Sequence, residues 1–189
     1  FLASLLFVRN LPASEFGIFS FVLVIVPFCM SLIAALLVLP VNSALGEPLE
    51  ARTRIEAACL KMNLFLTLLA GIAVFGFLTA AHAPMAPALL LAGFGAALTM
   101  RWFARCLAFV KGRTGTAIGS DLAYAGALVT GLGAMLFGHH VTLLLGACLL
   151  LAALLAGLLP FGAPFFRDQF AAIAQGRLHY YRAIFRDLT

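Results

Sequence analysis

Three charged residues stand inside stretches that are otherwise apolar, and any chemistry in this sequence starts with them. Arg101 and Arg105 are one helical turn apart, on a face that also carries Gly93 and Ala97. A planar guanidinium fork matches the oxygens of a phosphate. Two readings stand for the pair. Their charged ends snorkel to the nearby headgroups, or they form a cationic lining that binds phosphate. Asp121 is the acid among these apolar stretches, and Tyr124 follows it about one turn on. Asp121 is either an ion-pair partner of the arginines or a carboxylate that couples transport to a proton or ion. Arg101, Arg105 and Tyr124 are therefore the candidate substrate-binding residues, and Asp121 is the candidate charge-pair or ion-coupling residue.

Other side chains offer less. Cys29, Cys59, Cys106 and Cys148 fall in or beside apolar runs without metal-ligand spacing, so neither a disulfide framework nor a zinc site is expected. His139 and His140 sit in a short turn, where solvation, metal binding and pH sensing all remain open. Asn42 and Asn63 either line a cavity or lie on the surface. No nucleophile–base arrangement, paired carboxylates, glycine-rich phosphate loop or metal-ligand cluster is present. The sequence gives no ground for an enzyme, a metal or a cofactor.

The elements that position these residues are helices in lipid. The chain has 189 residues, of which 64% are hydrophobic and 10% charged. An ordinary soluble domain carries about 25% charged residues. Residues 16–46, 62–100 and 122–166 hold no Asp, Glu, Lys or Arg. A spanning helix needs about 20 apolar residues, so the first tract holds one span and each of the others holds two. The expected fold is an all-α integral membrane helical bundle of about five full transmembrane helices plus a truncated first one. The lobe covers residues 1–164, with spans near 1–8, 16–40, 57–81, 88–110, 116–137 and 141–162. Ser14 is the expected N-cap of span 2, Pro27 should kink it, and 41–55 forms a polar loop or short helix. Residues 82–87 and 111–115 are tight turns.

Residues 165–189 differ. Phe166, Phe170, Ile173, Leu178, Tyr181, Phe185 and Leu188 recur at helical spacing, with Arg177, Arg182 and Arg186 between them. This predicts a basic amphipathic helix, lying in the cytoplasmic interface or serving as a connector packed on the bundle. In span 5, Gly115, Gly119, Ala123, Ala127 and Gly131 recur every four residues, a stripe of small side chains that lets another helix approach closely. Alternate loops lie on opposite sides of the membrane. One set holds eleven of the twelve Lys and Arg residues and the other holds only Arg9. The basic set, and with it the N-terminus, is therefore expected in the cytoplasm.

Several segments resemble the polysaccharide flippases of the multidrug/oligosaccharidyl-lipid/polysaccharide exporter superfamily. Arg9-Asn-Leu-Pro-Ala-Ser-Glu-Phe-Gly-Ile-Phe19 is similar to that family's first outward loop. Arg101-Trp-Phe-Ala-Arg105, Lys111-Gly-Arg113 and Ser120-Asp-Leu-Ala-Tyr124 are similar to its fourth-to-fifth helix hairpin. The resemblance covers the whole chain. It implies the N-terminal lobe of a two-lobed transporter, lacking most of helix one and the second lobe. It implies a bacterial inner-membrane protein that moves an undecaprenyl-diphosphate-linked oligosaccharide outward for cell-surface polysaccharide biosynthesis. Arg101 and Arg105 would then line a cationic cavity, Asp121 would neutralise them or couple an ion, and rocking of the lobes would give alternating access. Membrane lipids, the lipid-linked diphosphate and the second lobe are the implied partners; nucleic acid is not. Two other classes compete: a membrane-embedded transferase or polymerase of envelope polysaccharide synthesis, and a non-catalytic membrane scaffold subunit.

The charge bias makes a direct prediction. Reporter tags placed at Lys111 and at His139 should report opposite compartments, with Lys111 inside. The same compartment for both would overturn the span assignment.

Overall fold

Inside a bilayer a helix satisfies its own backbone, so uncharged tracts of this length can only cross as helices. The computed structural model describes residues 2–138 and 141–174. It contains α1 (Leu2–Asn10), α2 (Ala13–Ile33), α3 (Leu39–Ser43), α4 (Leu49–Ala80), α5 (Met85–Val110), α6 (Thr114–Phe137), α7 (Leu143–Leu158) and α8 (Gly162–Ala174). No strand occurs among the described residues. Among the described residues, five continuous segments are long and apolar enough to cross a membrane: Ala13–Gly46, Leu49–Ala80, Met85–Val110, Thr114–Phe137 and Leu143–Asp168. At about 1.5 Å per residue, even the 24-residue α6 outreaches the roughly 30 Å hydrocarbon core. The protein is an all-α multi-pass membrane bundle.

The outside of the bundle is as apolar as the inside. Val24, Phe28, Ile72, Leu122 and Val129 are large, hydrophobic and more than half exposed. Polar side chains go inward instead: Asn63, Thr67, Thr99, Arg101 and Ser120 are buried. A water-soluble domain shows the reverse arrangement. Helix contacts rely on small residues. A Cβ on Gly71 of α4 would lie 3.3 Å from the Ala96 side chain of α5, and one on Gly95 of α5 would lie 3.4 Å from Val74 of α4. These two helices approach closely enough for Thr99 Oγ1 to reach Thr67 Oγ1 at 3.5 Å. In lipid, such close van der Waals packing drives association.

Helix bounds depart from the sequence expectation in several places, each for a local reason. Ser14 does not cap α2. Pro12 takes that place with extended backbone, its carbonyl accepts from the Phe16 N–H at 2.9 Å, and no side chain caps the helix. Pro27 lies inside α2, which runs unbroken from Ala13 to Ile33. A π turn over Ala34–Val38 follows and leads into α3 with Pro40 in its first turn. The wider turn gives the Pro40 ring room against the carbonyl one turn back. Ile33, Leu37 and Val41, spaced by four, all stay buried across it. The segment 41–55 is mostly helical. A 3-10 turn over Ala44–Gly46 leads to a break at residues 47–48, after which α4 starts at Leu49. Its first turns are supported by the Arg54–Glu50 pair at 3.2 Å.

At the other end, a 3-10 turn (Leu159–Phe161) and Gly162 at φ 67° separate α7 from α8. The helix expected over 165–189 therefore begins at Gly162, and it packs along α4. Residues 175–189, with Arg177, Arg182 and Arg186, lie outside the described residues, as do His139 and His140.

The two hairpin turns on either side of α5 close with one hydrogen-bond pattern. After α5, the Arg113 N–H donates to the Ala108 carbonyl at 2.8 Å and the Gly112 N–H to Phe109 at 3.0 Å. After α4, Ala83 donates to Leu78 at 2.9 Å and His82 to Thr79 at 3.0 Å. This is the Schellman ending, whose pivotal residue is left-handed. Gly112 takes that position at φ 70° without strain, whereas His82 takes it at φ 58° with a Cβ. Gly112→Ala should therefore cost about 1–2 kcal/mol. His82→Gly relieves strain but loosens the unfolded chain, so its net gain should stay below about 1 kcal/mol. Unfolding of the detergent-solubilised protein measures both.

Candidate functional site: a charge cluster within the membrane

The tight turn Lys111–Arg113 folds α6 back along α5, so residues nearly equidistant from the turn face each other. That places Ser120 and Asp121 opposite Arg101. Arg101 Nη2 donates to Asp121 Oδ1 at 2.6 Å, and Arg105 Nε donates to Asp121 Oδ2 at 2.9 Å. One carboxylate thus bridges two guanidiniums that lie a turn apart on α5. The cluster keeps a net charge of one cation.

A third helix joins through Ser120. Arg101 Nε donates to Ser120 Oγ at 3.0 Å, and the Ser120 hydroxyl donates to the Gly157 carbonyl of α7 at 2.6 Å. Gly157 is the residue that lets α7 approach. A Cβ there would lie 2.6 Å from Arg101 Nε and 3.0 Å from the Tyr124 Cβ. Arg101 is also covered by Tyr124, whose ring centroid lies 4.7 Å from the guanidinium carbon. A cation over an aromatic face gains about 0.5–2 kcal/mol, more as water is removed.

The two arginines differ in surroundings. Arg101 is 6% exposed and held from three sides. Arg105 keeps 29% of its side chain exposed and Asp121 keeps 41%. Arg105 rests on Trp102 and Phe109, with centroid distances of 5.6 and 5.1 Å. Only its Nε bonds to protein among the described residues, so both terminal nitrogens remain available. Toward the open side, then, the cluster presents a guanidinium fork beside a carboxylate. Such a fork can grip an anionic oxygen pair, and the carboxylate holds the fork in place when no anion is bound.

The structure brings four of the expected site residues together: Arg101, Arg105, Asp121 and Tyr124. Tyr124 stacks on Arg101 instead of facing open space. The small-residue stripe of α6 is used unevenly. Gly131 receives the Leu149 side chain of α7, and Gly119 lies near Pro160, 3.7 Å from its would-be Cβ. Ala123 and Ala127 are half-buried, while Gly115 is exposed with nothing around it. Asn42 is exposed, whereas Asn63 is wholly buried with both amide atoms unpartnered among the described residues. Sequence reasoning assigned no role to Ser120 or Gly157. The available signals were a hydroxyl adjoining the intramembrane acid and a lone glycine near the end of a Leu/Ala helix. The ion pair between Lys111 and Glu56, which ties the α5–α6 turn to α4, also went unforeseen.

No protein-family model, curated protein or solved structure matches this chain.

Gly157→Ala should destabilise the bundle by about 1–3 kcal/mol, because the added methyl overlaps Arg101 and Tyr124. Gly115→Ala, with free space around it, should be neutral or slightly stabilising. Equal effects in reversible unfolding of the detergent-solubilised protein would contradict this packing.

Proposed function

We propose that this chain is a lobe of a flippase that moves a lipid-linked oligosaccharide diphosphate across the bacterial inner membrane. The observation that carries the reading is the half-exposed Arg105–Asp121 pair, held at the side of membrane-spanning helices by a buried Arg101. Charge at such depth is costly and normally marks a substrate or ion path. The resemblance of the Arg101–Arg105, Lys111–Arg113 and Ser120–Tyr124 segments to polysaccharide flippases supports the same reading.

The parts then have distinct work. Arg101 is a positioning residue: bonded to Ser120 and Asp121 and covered by Tyr124, it fixes the carboxylate. Arg105 offers its terminal nitrogens to a phosphate oxygen. Asp121 neutralises part of the cationic charge while the site is empty, and it competes with the diphosphate for Arg105, which keeps binding reversible. A second helical lobe facing this surface would complete the cavity, and rocking of the two would expose it alternately to each side. The basic end, with Lys111 and Arg113, lies in the cytoplasm in this scheme, and the lipid enters from that leaflet.

The test is rescue of a deletion strain by the full-length gene, scored by accumulation of lipid-linked intermediate on the inner leaflet. Arg105→Ala should cut transport at least tenfold at unchanged membrane abundance, and Arg105→Lys should recover part of it. Arg101→Ala should lower both abundance and transport. Normal rescue by both alanine variants would overturn the proposal.

A further inference from the structure

A second group of cations lies away from the Arg101–Asp121–Arg105 cluster, where the first turns of α4 meet the α5–α6 turn. An opening of about 390 Å3 there is lined by Leu49, Arg52, Thr53, Glu56, Lys111 and Arg113. Three cations and one acid share this lining. The acid is already engaged, because Glu56 pairs with Lys111. The guanidiniums of Arg52 and Arg113 have neither an ion-pair nor a hydrogen-bond partner among the described residues. Neighbouring Arg54 is spent on Glu50. The Thr53 hydroxyl donates to the Leu49 carbonyl at 2.8 Å, so recognition falls to the two guanidiniums.

We propose that this opening binds the phosphate of an anionic lipid headgroup, held by Arg52 and Arg113. Two unpaired guanidiniums around one opening repel each other, and an oxyanion between them removes the repulsion and offers each a bidentate acceptor. The surroundings favour a lipid over a free ion. Leu49 on the lining is 78% exposed. An opening with an exposed leucine on its lining, at the ends of the Leu49–Ala80, Met85–Val110 and Thr114–Phe137 spans, suits a molecule with a charged head and an apolar tail. Inward, past Glu56, Lys111 and Arg113, lies a smaller notch with an apolar wall from Leu60, Ala104 and Leu107. Asp168 lines that notch, and over the combined lining one positive charge remains. The site is separate from the diphosphate cluster, so it stands whether or not the transport reading does.

Native mass spectrometry of the detergent-purified full chain, titrated with phosphatidylglycerol or phosphatidylcholine, tests it. The first phosphatidylglycerol should bind at least tenfold more tightly than phosphatidylcholine. The preference should vanish in Arg52→Gln/Arg113→Gln, survive in Arg52→Lys/Arg113→Lys, and be unchanged in Arg54→Gln, with circular dichroism confirming that each variant is folded. Millimolar inorganic phosphate should not displace the bound lipid. Equal affinity for the two lipids, a preference that persists in the double Gln variant, or full displacement by inorganic phosphate would each overturn the proposal.

Discussion

One carboxylate shared by two guanidiniums sets the arrangement of this bundle. Away from water, an unpaired charge costs far more than any single packing contact returns. Once Arg101 lies at the junction of three helices, its partners must come to it. Asp121 and Ser120 bring α6, and the Gly157 carbonyl brings α7 through Ser120. The hairpin turn at Gly112 and the small residue at Gly157 are consequences of the same need. The first aligns the acid with the arginines, and the second clears space for the guanidinium. Hydrophobic burial cannot supply this specificity in lipid, because the tails outside are as apolar as the leucines within.

The cluster also divides labour between two like residues. Arg101 has exchanged exposure for contacts with Ser120, Asp121 and Tyr124, and such a residue holds geometry. Arg105 has one bond to the protein and two aromatic supports, and such a residue can change partners. The bundle therefore carries a rigid charge and an adaptable one on adjacent turns of one helix.

Much of the fold was legible in the sequence because lipid imposes a simple rule. Uncharged tracts of this length cross as helices, and prolines, glycines and charges mark where they turn. The antiparallel depth match of Asp121 with Arg101 and Arg105 followed from the position of the Lys111–Gly115 turn. Helix ends were less legible. Residues 41–55 read as a polar loop or a short helix by composition, and nearly all of them are helical, with Glu50 and Arg54 paired at i,i+4 and a π turn ahead of Pro40. Ser120 and Gly157 were not legible as site residues. Their roles depend on α7 crossing at one particular level, and a pattern of small and apolar residues does not encode that level. Asn63 shows the same gap from the other side: its position along α4 was clear, but its complete burial was not.

Trp102 is the only tryptophan in the chain. It lies beside Arg105, and its indole N–H is buried without a hydrogen-bond partner among the described residues. An indole in such surroundings emits at short wavelength, and a cation moving across its face shifts and quenches that emission. The bundle therefore carries its own optical probe, placed beside the arginine with free donors and needing no added label. Any event that draws the guanidinium away from the ring becomes visible in the intrinsic fluorescence of the unmodified protein.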